Sequence, residues 1–202
     1  MSVYQLKARF QDLLRPLVVR LASSGVTANQ VTVTAALVSV LLGMSLGWSA
    51  NRMVFALVPI WLFLRMALNA IDGMLAREHG QKSVLGAYLN EVGDVVSDAA
   101  LYAPFALVAP FSAFWIFTII FLATLTEFVG VTGVSLGASR RYDGPMGKSD
   151  RAVVFGVLGT WIAIAGMLPD WAFWLQPLLC VLLVATSIKR MRGGIDKDNI
   201  AA

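Results

Sequence analysis

The chain has 202 residues, of which 58% are hydrophobic and 14% are charged, and its mean hydropathy is +0.74. A soluble domain of this length is not normally so apolar, so the composition excludes an ordinary water-soluble enzyme and favours a polytopic membrane protein. The single cysteine, Cys180, excludes an internal disulfide or a cysteine-rich metal site, and the net charge of +4 comes with no pattern that indicates nucleic acid binding.

Residues 1–20 are predicted to form an amphipathic helix at the membrane surface. Val3, Leu6, Phe10 and Leu14 recur at helical spacing, and charged side chains fall between them. This pattern is typical of a juxtamembrane helix. An ordinary amphipathic helix packed on the core is the alternative interpretation.

Six apolar segments follow, each near the length of about 20 residues that a helix needs to cross a bilayer. They are predicted at about residues 31–49, 54–76, 84–108, 114–136, 153–168 and 171–188. The sequence therefore predicts an all-α membrane protein with a single domain over 1–202. Within it, a six-helix bundle at 31–188 is followed by a polar tail at 189–202.

The distribution of basic residues predicts the orientation in the membrane. These residues concentrate before the first span, in the 77–82 and 140–151 loops and after the sixth span, whereas the alternate loops contain only Arg52. By the positive-inside rule, both termini and the basic loops face the cytoplasm. The positive charge then lies on one face of the protein, where anionic lipid or phosphate is attracted.

Polar side chains within the second and third spans form the candidate site. Asn69 and Asp72 are three residues apart, and Asn90 and Asp94 are four apart, so each pair shares a helical face. An antiparallel hairpin brings the four to similar depth, where polar groups are costly and are functional candidates. Their converging oxygens favour a hard divalent cation such as Mg²⁺, Mn²⁺ or Ca²⁺.

Small residues lie beside these predicted ligands. Gly73, Ala76 and Gly86 allow helices, or a bulky ligand, to approach the backbone closely. Arg77 is at the predicted cytoplasmic end of its helix, where its guanidinium suits bidentate binding of phosphate.

The stretch 69–94 resembles the signature of the CDP-alcohol phosphotransferase (CDP-alcohol phosphatidyltransferase) family, D-x-x-D-G-x-x-A-R-x8-G-x-x-x-D-x-x-x-D. The matching positions are Asp72, Gly73, Ala76, Arg77, Gly86 and Asp94. A Thr-x-Asn-x-x-Thr sequence at 27–32, the six spans and the amphipathic first helix are also similar to the family.

The resemblance implies transfer of a substituted phosphoryl group from a CDP-linked donor, usually CDP-diacylglycerol, to a hydroxyl, with release of CMP, in phospholipid synthesis. It implies a site with one or two divalent ions, Mg²⁺ or Mn²⁺, and with Asp94 as the general base. The implied metal ligands are Asn69, Asp72, Asn90 and Asp94. The implied cytidine and phosphate pocket consists of Gly73, Ala76, Arg77 and Gly86. A homodimer in a bacterial inner membrane, with the site facing the cytoplasm, is also implied.

Two positions depart from the family pattern. Asn69 and Asn90 occur where the family has aspartate, so the charge at the four ligand positions falls from four to two. An amide oxygen can coordinate a cation but brings no charge, which makes the binding of two divalent ions harder. Glu91 and Asp98 are the candidates to restore the lost charge.

The 140–151 loop is predicted to contact the acceptor. Its four cations are Arg140, Arg141, Lys148 and Arg151. They fit a phosphate pocket, and so a phosphorylated acceptor such as glycerol 3-phosphate or an inositol phosphate, although positive-inside charges alone would also account for them.

Other interpretations stay open at this stage. Arg65 and Glu127 are expected to be buried and to pair with each other across the second and fourth spans. A catalytically impaired member of the family would bind lipid or nucleotide without transfer. A small transporter using the intramembrane acids is less favoured, because the sequence shows no paired broken helices.

Overall fold

The computed structural model describes residues 3–49 and 51–198, and the regular structure in that part of the chain is helical, without β-strands. It contains seven α-helices: α1 (Val3–Ser23), α2 (Ala28–Trp48), α3 (Leu57–Glu78), α4 (Val84–Tyr102), α5 (Ala113–Ser135), α6 (Lys148–Ala165) and α7 (Leu175–Asp198). Three short 3₁₀-helices, Arg52–Ala56, Ala103–Leu107 and Asp170–Trp174, adjoin α3, α4 and α7.

Four of the helical segments are long and apolar enough to cross a membrane. They are Ala28–Trp48, Arg52–Glu78, Ala113–Ser135 and Asp170–Ile195. Helices α4 and α6 are similar in length but each contains three charged side chains, which lowers its hydropathy. Four of those six charges line the candidate site described below. The six-span topology stays a prediction for these two helices.

Local sequence signals account for where the site helices begin. Thr27 caps α2 in a capping box with Gln30, whose side chain accepts from the Thr27 backbone N–H at 2.9 Å. Ser83 caps α4 by accepting from the Gly86 backbone N–H at 2.9 Å. Asp150 in the first turn of α6 accepts from the Gly147 N–H at 2.8 Å. These caps fix the helix ends that surround the site.

The bundle is built from pairs of closely packed helices: α2 lies along α4, α3 along α6, and α5 along α7. Gly43 of α2 touches the backbone of Ala100 in α4 so closely that a Cβ would overlap it. Gly159 of α6 faces α3 in the same way, with Val58 within 2.9 Å of a Cβ placed there. Helix α2 packs on both motif helices, α3 and α4, and so joins the two sides of the motif.

The main core is apolar and lies away from the motif residues. Aromatic rings form its centre, with Tyr102 stacked on Phe155 at 3.8 Å and Phe105 edge-on to Phe55 at 5.2 Å. All four side chains are fully buried. A smaller apolar cluster around Val18 and Met74 joins α1 to α2 and α3.

Helix α1 has one face on the protein and another exposed. Val18 is fully buried against α3, while Leu13 and Leu17 are exposed. Arg15 also reaches Glu78 at the end of α3, with a 3.2 Å contact. The exposed apolar side chains are compatible with the predicted position at a membrane surface, which stays a prediction.

Several helix ends differ from the sequence-based prediction, and α6 begins at Lys148, within the predicted 140–151 loop. The third predicted span reached residue 108, but α4 ends at Tyr102 and a 3₁₀-helix containing Pro104 follows. Pro104 lacks a backbone N–H and favours this break. At the other end of the chain, α7 continues through residues 189–198, which were predicted to be a polar tail.

Candidate active site

The motif residues line a cavity of about 790 Å³ between the first turns of α2, α4 and α6 and the last turns of α3. Ten of the twelve site residues predicted from sequence lie in its wall. They are Asn69, Asp72, Gly73, Ala76, Arg77, Gly86, Asn90, Asp94, Arg140 and Lys148. The other two, Arg141 and Arg151, are outside the lining.

Asp72 is held by the helix that precedes the motif. It is buried in α3, with 5% of its surface exposed, and its Oδ2 accepts a hydrogen bond of 2.7 Å from Thr32 Oγ1 in α2. Among the described residues, its Oδ1 has no side-chain donor. The carboxylate is therefore oriented by Thr32 and keeps one oxygen for a ligand.

Asp94 is oriented by three neighbours that all approach one oxygen. Its Oδ1 accepts from Asn69 Nδ2 at 3.1 Å and from Arg65 at 3.3 Å, and it forms an ion pair with Lys148. Within the described chain, Oδ2 has no such donor. Asp94 thus has a fixed direction and one free oxygen, as a metal ligand or general base needs.

The two motif glycines make room for polar side chains at the cavity wall. A Cβ at Gly73 would lie 2.9 Å from the Arg77 guanidinium, and one at Gly86 would lie 2.7 Å from Asn29 Oδ1. Any side chain at these positions would push Arg77 or Asn29 from its present place. At these two positions the glycines leave room for Arg77 and Asn29, whereas their place in a cytidine and phosphate pocket stays a prediction.

Part of the cavity lining is formed by cations, each paired with a carboxylate. Arg140 pairs with Glu91 and reaches Glu127 at 3.5 Å, and Arg190 of α7 lies 3.4 Å from the same Glu127 carboxylate. Burial lowers the pKa of Arg140 from its ordinary value. Lys148 completes this part of the lining beside Asp94.

Arg151 lies behind the cavity in a buried network of charges. Its Nη2 is 2.9 Å from Asp98 and 3.2 Å from Glu127, and the side chain is 2% exposed. Arg65 closes the network from the other side, 2.5 Å from Asp98. The expected direct pair between Arg65 and Glu127 does not form, because Asp98 and Arg151 lie between them.

Arg141 points away from the cavity. Its guanidinium donates to the carbonyl of Gly193 in α7 and lies against that glycine. The interaction ties the 136–147 loop to α7. It leaves Arg140 and Lys148 as the two predicted acceptor residues that line the cavity.

The donor set at the cavity fits a hard divalent cation. Asp72 and Asp94 supply carboxylate oxygens, and Asn69 and Asn90 supply amide oxygens in the same wall. Asp98 does not add to this set, because both of its oxygens are bonded to arginines and it is outside the lining. Glu91 lines the cavity but is paired with Arg140.

Arg190 is a cavity residue that sequence analysis missed. It lies in a basic stretch near the end of the chain, which was interpreted as part of a cytoplasmic tail. In the structure, α7 extends past this position. The Arg190 guanidinium donates to the backbone carbonyl of Asp143 in the 136–147 loop and, at 2.5 Å, to that of Thr126 in α5. Its burial, with 3% of its surface exposed, could not be read from the sequence.

Comparison with known proteins agrees with this geometry. Residues 25–186 match the CDP-alcohol phosphatidyltransferase family, so the chain belongs to that family. The resemblance proposed from the motif is confirmed. The protein is therefore a metal-dependent phosphatidyltransferase.

Two relatives match over most of their length. The inner membrane protein YnbA of Escherichia coli is 46% identical over 195 residues, which cover 95% of this chain and 96% of the relative. The phosphatidylinositol phosphate synthase of Mycobacteroides abscessus is 25% identical over 193 residues, covering 91% of this chain and 85% of the relative.

A solved structure has the same fold. The phosphatidylinositol phosphate synthase of Mycobacterium tuberculosis, with CDP-DAG bound, aligns with a TM-score of 0.69 at 19% identity, over 89% of this chain and 92% of that one. Its crystal structure in complex with manganese and citrate gives a TM-score of 0.68 at 18% identity, over 89% and 87% of the two chains.

Proposed function

We propose that this protein transfers the phosphatidyl group of CDP-diacylglycerol to the hydroxyl of a phosphorylated polar alcohol and releases CMP. The observation that supports the proposal is the cavity itself. Its lining brings the acidic motif residues together with the cations Arg140, Lys148 and Arg190. A donor with a pyrophosphate and an acceptor with a phosphate both find complementary groups there.

In this proposal the donor lies on the α3–α4 side. Gly73, Ala76, Arg77 and Gly86 surround the cytidine diphosphate, and Arg77 binds phosphate oxygen through its guanidinium. Asp72, Asp94, Asn69 and Asn90 hold a divalent cation, Mg²⁺ or Mn²⁺. When bound, that cation neutralises charge on the pyrophosphate and on the departing CMP. The manganese complex of the Mycobacterium tuberculosis synthase supports this assignment.

The chemical step needs a base beside the acceptor hydroxyl. We assign this role to Asp94, whose Oδ1 is held by Asn69, Arg65 and Lys148 while Oδ2 remains available. The hydroxyl oxygen bonds to the phosphorus that bears diacylglycerol, the phosphorus–oxygen bond to CMP breaks, and the hydroxyl proton passes to Asp94.

The acceptor is assigned to the cations of the cavity lining. Arg140, Lys148 and Arg190 come from the 136–147 loop, α6 and α7, and they converge on the cavity beside Asp94. Glycerol 3-phosphate and inositol phosphates combine a hydroxyl with a phosphate that suits these cations. The relative from Mycobacteroides abscessus, a phosphatidylinositol phosphate synthase, supports an acceptor of this class.

The protein is proposed to work in a bacterial inner membrane with its site and both termini facing the cytoplasm. The basic loops support this orientation, and the relation to an inner membrane protein of Escherichia coli supports the location. Assembly as a homodimer remains a prediction that rests on family resemblance.

The proposal is tested by CMP release from CDP-diacylglycerol in detergent, with Mg²⁺ or Mn²⁺ and a panel of glycerol 3-phosphate, inositol phosphate, serine and glycerol. We expect release only with a phosphorylated acceptor and only in the absence of chelator. Asp94→Asn should lower the rate by about 10²- to 10⁴-fold. Asp170→Asn, at an exposed carboxylate in the 166–174 turn, is the matched control.

The outcomes separate the parts of the proposal. Release that requires serine or glycerol would show that the acceptor class is wrong while transfer is right. The absence of release with every acceptor, in a preparation that retains its helical circular dichroism, would contradict the transfer itself.

A further inference from the structure

The anionic ligands of the cavity are too few for two divalent cations. Of the four motif positions, only Asp72 and Asp94 are charged. In the part of the chain that the structure describes, no group of three or more acidic, histidine or cysteine side chains is arranged to hold a metal ion. A pair of divalent ions would bring four positive charges against two carboxylates, which is unfavourable at a site of low dielectric.

The nearby carboxylates that could supply more charge are already paired. Asp98 is bonded to Arg65 at 2.5 Å and to Arg151 at 2.9 Å. Glu91 is paired with Arg140, and Glu127 is shared by Arg140, Arg151 and Arg190. None of these acids is free to join a second cation without breaking an ion pair, and the partner arginines of Asp98 are buried.

Lys148 places a fixed positive charge beside Asp94, where a second cation would have to bind. It is the first residue of α6, its ammonium nitrogen is inaccessible to solvent, and it forms an ion pair with Oδ1 of Asp94. The same oxygen also accepts from Asn69 and Arg65. A second cation on this oxygen would lie next to an ammonium group and would be repelled by it.

We propose that this site binds one divalent cation, and that the ammonium group of Lys148 takes the place beside Asp94 that a second cation would otherwise fill. The inference rests on the metal-dependent transfer proposed above and deepens it. Lys148 is then a positioning residue for Asp94. Asn69 and Asn90 lower the negative charge of the site and Lys148 adds a positive charge, so all three residues act against a second cation.

The first test counts bound Mn²⁺ on the full chain in detergent, without substrate, by electron paramagnetic resonance of the free ion. We expect one bound Mn²⁺ per chain, with no spectral sign of coupling between two ions. Two Mn²⁺ ions per chain, or a coupled pair, would overturn the inference. This measurement uses the unmodified protein, so it does not depend on the folding of any variant.

The second test compares two lysines of the cavity wall. Lys148→Met removes the charge beside Asp94 and should tighten Mn²⁺ binding about tenfold, as expected from the loss of a nearby like charge. Lys82→Met removes a charge from the 79–83 loop and should change the Mn²⁺ affinity less than about twofold, because Lys82 lies outside the described contacts of Asp94. An unchanged or weaker affinity in Lys148→Met would overturn the role of Lys148.

A third variant restores the two motif carboxylates and removes the ammonium group. Asn69→Asp with Asn90→Asp and Lys148→Met should bind two Mn²⁺ ions per chain, and a single ion would contradict the inference. CMP release by the unmodified protein distinguishes failure of the single-cation inference from failure of the proposed function. Release together with two bound ions overturns only the inference, whereas the absence of both Mn²⁺ binding and release overturns the proposed function.

Discussion

Arg151 shows how burial changes the expected role of a cation. The sequence places it in a basic loop, but the guanidinium is 2% exposed and joins Asp98 of α4 to Glu127 of α5. A buried charge that loses its partner is strongly destabilising, whereas a cation on the cavity rim contributes to binding and little to stability. Arg77 is such a rim residue, exposed at the end of α3.

We therefore predict that substitution of Arg151 lowers stability, whereas substitution of Arg77 weakens substrate binding. Arg151→Met should lower the free energy of unfolding by about 3 kcal/mol or more, because Asp98 and Glu127 lose a shared partner. Arg77→Met should leave the thermal midpoint in detergent nearly unchanged and raise the KM for CDP-diacylglycerol. Thermal unfolding and steady-state kinetics measure the two effects. A stable Arg151→Met variant with a raised acceptor KM would show that Arg151 binds the acceptor directly.

Gly86 and Asn29 form a second testable pair at the residue scale. A Cβ at position 86 would lie 2.7 Å from Asn29 Oδ1, so Gly86→Ala should displace that amide from the cavity wall. We expect the KM for CDP-diacylglycerol to rise about tenfold with little change in stability. If displacement is the cause, Gly86→Ala should add little to an Asn29→Ala variant, in a double-mutant cycle. Additive effects would contradict this explanation.

Among the helices, the contact of α2 with α4 positions both sides of the motif. Thr32 of α2 orients Asp72, and α4 carries Asn90 and Asp94. The approach depends on Gly43, which lies directly against the Ala100 backbone. Small residues at such crossings allow helices to pack through their backbones.

Gly43→Ala should therefore destabilise the protein by about 2 kcal/mol, because the added methyl group forces α2 away from α4. Gly47 lies one turn later on the same helix and has no atom within 4 Å of an added Cβ. Gly47→Ala should be neutral or stabilising by up to about 1 kcal/mol through helix propensity. Thermal unfolding of the two variants provides the comparison. Equal midpoints would show that α2 and α4 do not need this close contact.

The positions of the helices along the chain were largely predictable from the sequence, but the helices that pack against each of them were not. Apolar runs of about 20 residues predict the helices around the motif, and the fixed motif spacing accounts for the motif residues in the cavity lining. The caps at Thr27 and Ser83 account for where α2 and α4 begin. Arg190 and Arg151 could not be assigned, because their environments depend on which helices α6 and α7 pack against. Periodicity describes the face of one helix and contains no information about the neighbour that covers it.

At the scale of the whole molecule, membrane topology depends on α4 and α6. With 19 and 18 residues, these helices are about 28.5 and 27 Å long, close to the thickness of the hydrocarbon core. Across these two helices Asp94 pairs with Lys148 and Asp98 with Arg151, and Glu91 pairs with Arg140 of the 136–147 loop. Length and internal pairing therefore favour six spans, although hydropathy alone identifies four.

Cysteine labelling of membrane vesicles tests this topology directly. In a Cys180→Ser background, single cysteines at His79 and Ala113 bracket α4, and those at Ser149 and Asp170 bracket α6; all four positions are exposed. Six spans predict that an impermeant maleimide labels 79 and 149 from the cytoplasmic side and 113 and 170 from the opposite side. Labelling of 79 and 113 from the same side would exclude α4 as a span, and the pair 149 and 170 decides α6 in the same way. The unmodified protein is the control, because its only cysteine, Cys180, is buried and should not react.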